Sequence, residues 1–144
     1  MNRRIIALLG RGGIGKSTTL NLLPDRLSEL SWIEQSRVNH GNGDDFVAVF
    51  ELNGIRLGVS TAGDNYREVS NGLRLLMKAS CIVVISACRS YDKVNPKTGI
   101  KKGTHSALRE FTNDIIFVRK TIEPIETNRN AVNLNDIARI VELL

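Results

Sequence analysis

The sequence predicts an α/β protein of three layers, with a mainly parallel sheet and one antiparallel edge strand supplied by a hairpin. Three observations lead there. Arg3–Leu9, Cys81–Ala87 and Asp114–Val118 are apolar runs without alternation, as strands buried on both faces are. Stretches with apolar residues at helical spacing separate them. Between the first two runs, Asn53-Gly54 joins two β-rich segments, the composition of a type I′ hairpin turn.

In chain order, Arg3–Leu9 is the first strand. A helix is expected to start near Gly15, with Leu20, Leu23, Leu27 and Leu30 on one face. Pro24 either kinks that helix or ends it and opens a short second one from its first position. Asn39–Asp45 reads as a loop on composition. Phe46–Leu52 and Ile55–Ser60 form the hairpin, and the first of them is the expected antiparallel edge. Asn65–Ser80 reads as a helix with Val69, Leu73, Leu76 and Met77 inward, weakened slightly by Gly72. Cys81–Ala87 is the second buried strand, and Arg89–Gly103 a loop with Pro96 and several lysines. A short helix follows from Thr104, its expected N-cap, to Phe111, and then the strand Asp114–Val118. Lys120–Val132 looks irregular, and Asn133 or Asn135 is expected to cap a last helix with Ile137, Val141 and Leu144 inward.

Composition bounds the function. The 144 residues, 42% hydrophobic and 24% charged, suit a single domain, 1–144, with one core. No apolar run approaches the roughly 20 residues of a membrane span. The basic start followed by Ile5–Leu9 is too short for a secretory signal, so it reads as the first strand of a cytoplasmic protein. Cys81 and Cys88 lie too far apart along one strand to bridge and read as buried thiols. His40 and His105 are isolated, and no Cys/His cluster has zinc-ligand spacing. The net charge of +5 fits anionic partners, nucleotides or nucleic acid, without choosing between them.

The chemistry lies in "GRGGIGKSTT". Gly10, Gly15, Lys16 and Ser17 complete G-x-x-x-x-G-K-[ST] between a predicted strand and a predicted helix. Glycines let the backbone through Arg11, Gly12, Gly13 and Ile14 curl, so that successive N–H groups point at phosphate oxygens. The helix start adds partial positive charge. Lys16 reaches the β- and γ-phosphates, Ser17 offers a hydroxyl to Mg²⁺, and Thr18 contacts the α-phosphate. A glycine-rich βα turn without a ligand would have no reason to carry Lys-Ser at its end.

This stretch resembles the Walker A motif of the P-loop NTPases. The order that follows, an Asn-Gly hairpin and then "STAGDNYRE", looks like the Ras-type GTPases. In those proteins a neighbouring strand ends in Asp-x-x-Gly, and a water-orienting residue follows. Carried over by position, the resemblance puts Ser60 where the aspartate stands, so that Ser60 holds Mg²⁺ only through water. Gly63 meets the γ-phosphate, and Asp64 occupies the place of the catalytic glutamine. Asp64, Asp44 or Asp45 is available to replace the missing charge. Asp64 either polarises an attacking water, repels the γ-phosphate, or simply N-caps the next helix. The guanine-reading Asn-Lys-x-Asp is absent, since "VRKTIEP" follows the relevant strand. Lys120 offers only stacking on a purine, and ATP is therefore favoured over GTP.

The basic segment Arg89–Gly103 has three readings: a solvated loop, a lid over bound phosphates, and a nucleic-acid surface. The last is weakened by Tyr91 being its one stacking face. The leading expectation is slow Mg²⁺-dependent hydrolysis of ATP or GTP by Lys16 and Asp64, as a switch or to power a protein partner. A kinase with 89–103 as its lid and a catalytically degenerate nucleotide-binding module are the alternatives.

Overall fold

The structure is a computed structural model describing residues 2–40 and 43–144. Its elements in chain order are β1 (Arg4–Leu9), α1 (Lys16–Leu20), α2 (Leu23–Glu29), β2 (Ile33–Asn39), β3 (Phe46–Leu52), β4 (Ile55–Ser60) and α3 (Tyr66–Lys78). They continue with β5 (Val83–Cys88), β6 (Lys93–Val94), β7 (Lys101–Lys102), α4 (Thr104–Phe111), β8 (Ile115–Arg119), a 3₁₀ turn (Glu126–Asn128) and α5 (Arg129–Val141). Six strands form one sheet in the order β2-β3-β4-β5-β1-β8, and β6 and β7 form a separate hairpin.

The sheet is mostly parallel. β1 pairs in parallel with β5 and β8, and β4 with β5, while β3 runs antiparallel to both β2 and β4. Helices cover both faces. On one face Leu20, Leu23 and Leu27 of α1 and α2 join Ile137 and Ile140 of α5 over Ile6, Leu8, Phe50 and Ile85. On the other, Val69, Leu73 and Leu76 of α3 and Leu108 of α4 pack on Ile5, Ala7 and Val84. Burying each such side chain contributes about 1.5–3 kcal/mol over leaving it exposed. No helix among the described residues is long and apolar enough to cross a membrane.

Several details confirm local chemistry. Asn53 (φ 51°) and Gly54 (φ 78°) both take positive φ, as a type I′ turn requires. Asn65 caps α3 by accepting the Glu68 N–H at 2.9 Å. Pro24 opens a separate helix, entering at its second position rather than its first. Cys81 and Cys88 are free, buried thiols, which burial pushes up to about 11 and about 12.

Other expectations are corrected. β3 is not the edge, because β2 pairs beyond it. Every residue of β2 is exposed, so no apolar pattern announces it; its bulge between Glu34 and Ser36 and its charges are devices of an edge strand. The loop expected at Asn39–Asp45 loses Asn39 to β2, and its Gly41 and Asn42 lie outside the described residues. Met77 faces solvent, and Ser70 and Gly72 take inward positions on α3. Thr104 is the first helical residue of α4, not its cap. Its hydroxyl accepts the Arg89 N–H, and Asp92 receives the helix amides of His105 and Ser106. β8 is an edge strand with only Val118 buried. The last helix begins at Arg129, four residues before Asn133. Of its expected inward residues Ile137 is buried, Val141 half-buried and Leu144 exposed.

A buried ion pair fixes α5 to the end of β8. Asp136, fully buried, accepts from Lys120 Nζ at 3.0 Å, from the Thr121 N–H at 3.0 Å and from Thr121 Oγ1 at 2.6 Å. Burial pushes the Asp136 carboxyl up, but the hydrogen bonds from Thr121 and Lys120 outweigh it and hold it below the usual carboxylate range. The unfolded chain therefore takes up this proton first as pH falls. The stability contributed by Asp136 is complete above an ordinary carboxylate pKa of about 3.9 and is lost as pH drops below it. Asp136→Ala is expected to cost about 3–5 kcal/mol, because it strands the Lys120 charge. Melting temperatures followed from pH 7 into acid are also expected to fall less steeply in Asp136→Asn than in wild type, and an unchanged acid limb would contradict this account.

Candidate functional site

The carboxyl ends of β1, β4, β5 and β8 meet at the glycine-rich loop. β1 hands directly into Gly10, whose N–H donates to Cys88 O of β5 at 3.1 Å, while the Lys120 N–H donates to Leu9 O at 2.8 Å from the other side. The loop is thus clamped between its two parallel neighbours. Gly13 (φ 78°) and Gly15 (φ 88°) take left-handed conformations that a side chain would strain. Lys16 opens α1 and folds back across the loop. Its ammonium donates to the carbonyl of Gly10 and, at 3.2 Å, to that of Arg11. The residue is only 6% exposed. Burial lowers the Lys16 pKa, and the nearby Arg89 charge lowers it further.

The strand expected to neighbour β1 does not. β5 lies between β4 and β1, so the likeness to Ras-type proteins in chain order does not extend to adjacency in the sheet. Ser60, expected to meet Mg²⁺ through water, ends β4 and is therefore separated from β1 by β5. Ser60 is fully buried, its Oγ has no hydrogen-bond partner among the described residues, and it lies against α3, where a Cβ on Gly72 would come within 2.2 Å of it.

The carboxylate beside Ser17 is Asp45. Ser17 Oγ donates to Asp45 Oδ1 at 3.0 Å and sits 3.4 Å from Thr61 O, and Thr61 Oγ1 donates to the same Asp45 oxygen at 2.9 Å. Thr61 Oγ1 in turn accepts the Phe46 N–H at 2.9 Å, which ties the start of β3 to the end of β4. A hydroxyl, a carboxylate and a carbonyl oxygen at one point form a hard-oxygen donor set. That set suits Mg²⁺, which keeps most of its shell as water and phosphate oxygens. The described residues hold no cluster of three or more His, Cys, Asp and Glu, so a stand-alone protein cage for a metal is not formed among them.

Gly63 presses on the end of β5, where a Cβ would come within 2.5 Å of the Ala87 carbonyl oxygen. Asp64 is not the cap of α3, a role Asn65 holds. It engages Arg89 instead. Arg89 Nε donates to Asp64 O at 3.1 Å and Nη2 lies 3.4 Å from Asp64 Oδ1. The Arg89 guanidinium covers the crest of the glycine loop, where a Cβ on Gly12 would come within 2.4 Å of Nη1. Arg89 was visible in the sequence only as one of several basic residues; its place directly after a buried strand was the usable signal.

Two clefts flank the loop. One, of about 630 Å³, lies between Gly13, Ile14 and Thr18 and the segment from Lys120 to Pro124, with Arg129 and Asn133 behind. The stacking role expected of Lys120 is restricted there, since its ammonium is held by Asp136 and by Thr121 O. The other, of about 540 Å³, opens beside Arg89 and Asp64 under the β6–β7 hairpin. Arg11 lines both. The segment Arg89–Gly103 is therefore folded, anchored where Asp92 accepts the His105 N–H at 2.9 Å and the Ser106 N–H at 3.0 Å.

Comparison with known proteins returns no match: no family model fits the chain, and no curated protein and no solved structure is significantly similar to it. The function is therefore read from the site.

The Ser60 geometry has a measurable consequence. Ser60→Ala removes a buried hydroxyl without a partner and is expected to leave stability unchanged or raise it by about 1 kcal/mol. Ser60→Asp buries a charge against α3 and is expected to destabilise by several kcal/mol, by order of magnitude. Chemical denaturation of both variants measures this. A stable Ser60→Asp protein with tighter Mg²⁺ binding would contradict this and support Ser60 as a metal position.

Proposed function

We propose that this chain is a P-loop NTPase that binds a Mg²⁺–nucleoside triphosphate at Gly10–Thr18 and hydrolyses it slowly. The single observation that carries the reading is the loop itself. Two left-handed glycines and a helix start surround an ammonium group whose hydrogen-bond partners among the described residues are the loop carbonyls of Gly10 and Arg11. A polyphosphate offers that ammonium stronger, charge-assisted acceptors, and the loop N–H groups supply the rest of the cradle. The triphosphate would lie along Gly10–Thr18, with its nucleoside in the cleft between the loop and Lys120–Pro124. ATP is favoured over GTP, because "VRKTIEP" leads out of β8 where a guanine-reading Asn-Lys-x-Asp would stand, and Asp136 behind it is consumed by Lys120 and Thr121.

Ser17 and Asp45 would hold Mg²⁺, which supplies charge neutralisation between the β- and γ-phosphates. Lys16 would leave Gly10 O and Arg11 O for the phosphate oxygens. Arg89, over Gly12, would stabilise charge developing on the transferred phosphoryl group, the task an arginine performs in cis in some phosphate-loop enzymes. Asp64 holds that guanidinium by its carboxylate and its carbonyl, and from there it would orient an attacking water. Phosphoryl transfer to a small acceptor is the second reading, favoured by the cleft that opens beside Arg89 under an ordered basic hairpin. Phosphate release measured with and without candidate acceptors separates the two.

Titration calorimetry with ATP and GTP tests the binding claim. Lys16→Ala is expected to remove most nucleotide affinity while the chain stays folded, and unchanged affinity would sink the assignment. Asp45→Asn is expected to lower affinity in Mg²⁺ and to leave it unaltered in EDTA; equal loss in both would mean Asp45 only supports the loop. The lowered Lys16 pKa gives the pH dependence its sign. The attraction for phosphate requires the protonated amine, so affinity should decline as pH rises into the alkaline range, and it should do so in wild type but not in Lys16→Ala.

A further inference from the structure

The cleft beside Arg89 is more than an entrance to the loop. Its floor is the α3 start and its roof is the β6–β7 hairpin, and its volume of about 540 Å³ is that of a small-molecule site. Five cations line it, Arg11, Arg67, Arg89, Lys93 and Lys102, against two carboxylates. Both carboxylates are already engaged. Asp64 pairs with Arg89, and Asp92, buried, accepts from the His105 and Ser106 amides. Among the described residues, Arg67, Lys93 and Lys102 form no ion pair at all. Lys102 instead sits 4.1 Å from the Tyr66 ring centroid, and the Tyr66 hydroxyl bonds Glu110. Like charges gathered in a concave, partly desolvated space repel one another and favour an anion that they share.

We propose that this cleft is a second anion site, taking the phosphate or carboxylate group of a small molecule next to the nucleotide's γ-phosphate. Arg89 joins the two sites, because it covers Gly12 and lines the cleft. The proposal rests on the nucleotide reading for its neighbour, while its own anion is held by Arg67, Lys93 and Lys102. A single-stranded nucleic acid fits the cleft less well. Lys102 already covers the ring of Tyr66, which leaves Tyr91 as the one free stacking face, and such binders use several.

The test is a titration of the protein with inorganic phosphate, after saturation with Mg²⁺ and a non-hydrolysable ATP analogue so that the glycine loop is filled. Phosphate is expected to bind at one site. The double variant Arg67→Ala/Lys102→Ala should weaken that binding at least about tenfold, the loss of one to two charge-assisted hydrogen bonds. The analogue's affinity should stay unchanged. Absence of phosphate binding to the loaded wild type would overturn the proposal, as would wild-type phosphate affinity in the double variant. Loss of oligonucleotide binding in the variant with phosphate binding retained would overturn it in favour of a nucleic-acid surface. If the analogue itself does not bind, the nucleotide reading fails. Phosphate titrated onto the unliganded wild type and double variant then decides the proposal by the same tenfold criterion.

Discussion

The site depends on one contact, the ammonium of Lys16 resting on the carbonyls of Gly10 and Arg11. A buried amine must be paired or lose its charge, and here its partners are the backbone of the loop that presents it. That contact runs from the start of α1 back across the loop to the end of β1. The parallel register makes the contact available. β5 and β8 pair with β1 on either side and bond the residues at its end, so the loop leaves the sheet from a fixed point. A ligand crevice outside the carboxyl ends of strands is the usual place for a site in such a sheet.

Two buried carboxylates hold the surroundings in place. Asp136 draws Lys120 and Thr121 onto α5 and shapes one cleft, while Asp92 draws α4 onto the segment after β5 and shapes the other. Burial pushes both carboxyls up, and their hydrogen bonds more than offset it, so both sit below the usual range. Each is a polar pin at a strand end, where a loop must be fixed without an apolar core to fix it. Arg89 leaves the main chain between these two regions, with its N–H on Thr104 and its carbonyl accepting from His105 Nε2 at 2.7 Å. Its guanidinium is thereby aimed over Gly12 by backbone anchors rather than by a long flexible approach.

The buried strands and the glycine loop were legible because their signals are local: an unbroken apolar run, a left-handed turn at Asn53-Gly54, glycines before Lys-Ser. β2 was not, since Ile33 to Asn39 buries nothing and its reason to be a strand is the open edge of β3. The pairing of Ser17 with Asp45 was hidden for a similar reason. Position along the chain singled out Ser60, but the side chain there alternates onto the α3 face. Asp45, one residue before β3, reaches Ser17 because Thr61 clamps the two strand ends together. The caps of α4 and α5 were missed because side chains distant in sequence, or none at all, do the work that Thr104 and Asn133 were expected to do.

The account stands or falls on where the Lys16 ammonium goes when a triphosphate is present. A crystal structure of the protein with Mg²⁺ and a non-hydrolysable ATP analogue answers this directly. The account predicts the triphosphate along Gly10–Thr18, with Lys16 Nζ moved from the carbonyls of Gly10 and Arg11 onto phosphate oxygens, and Ser17 and Asp45 on the metal side. A complex in which the nucleotide binds elsewhere, or Lys16 stays on its own backbone, would contradict it.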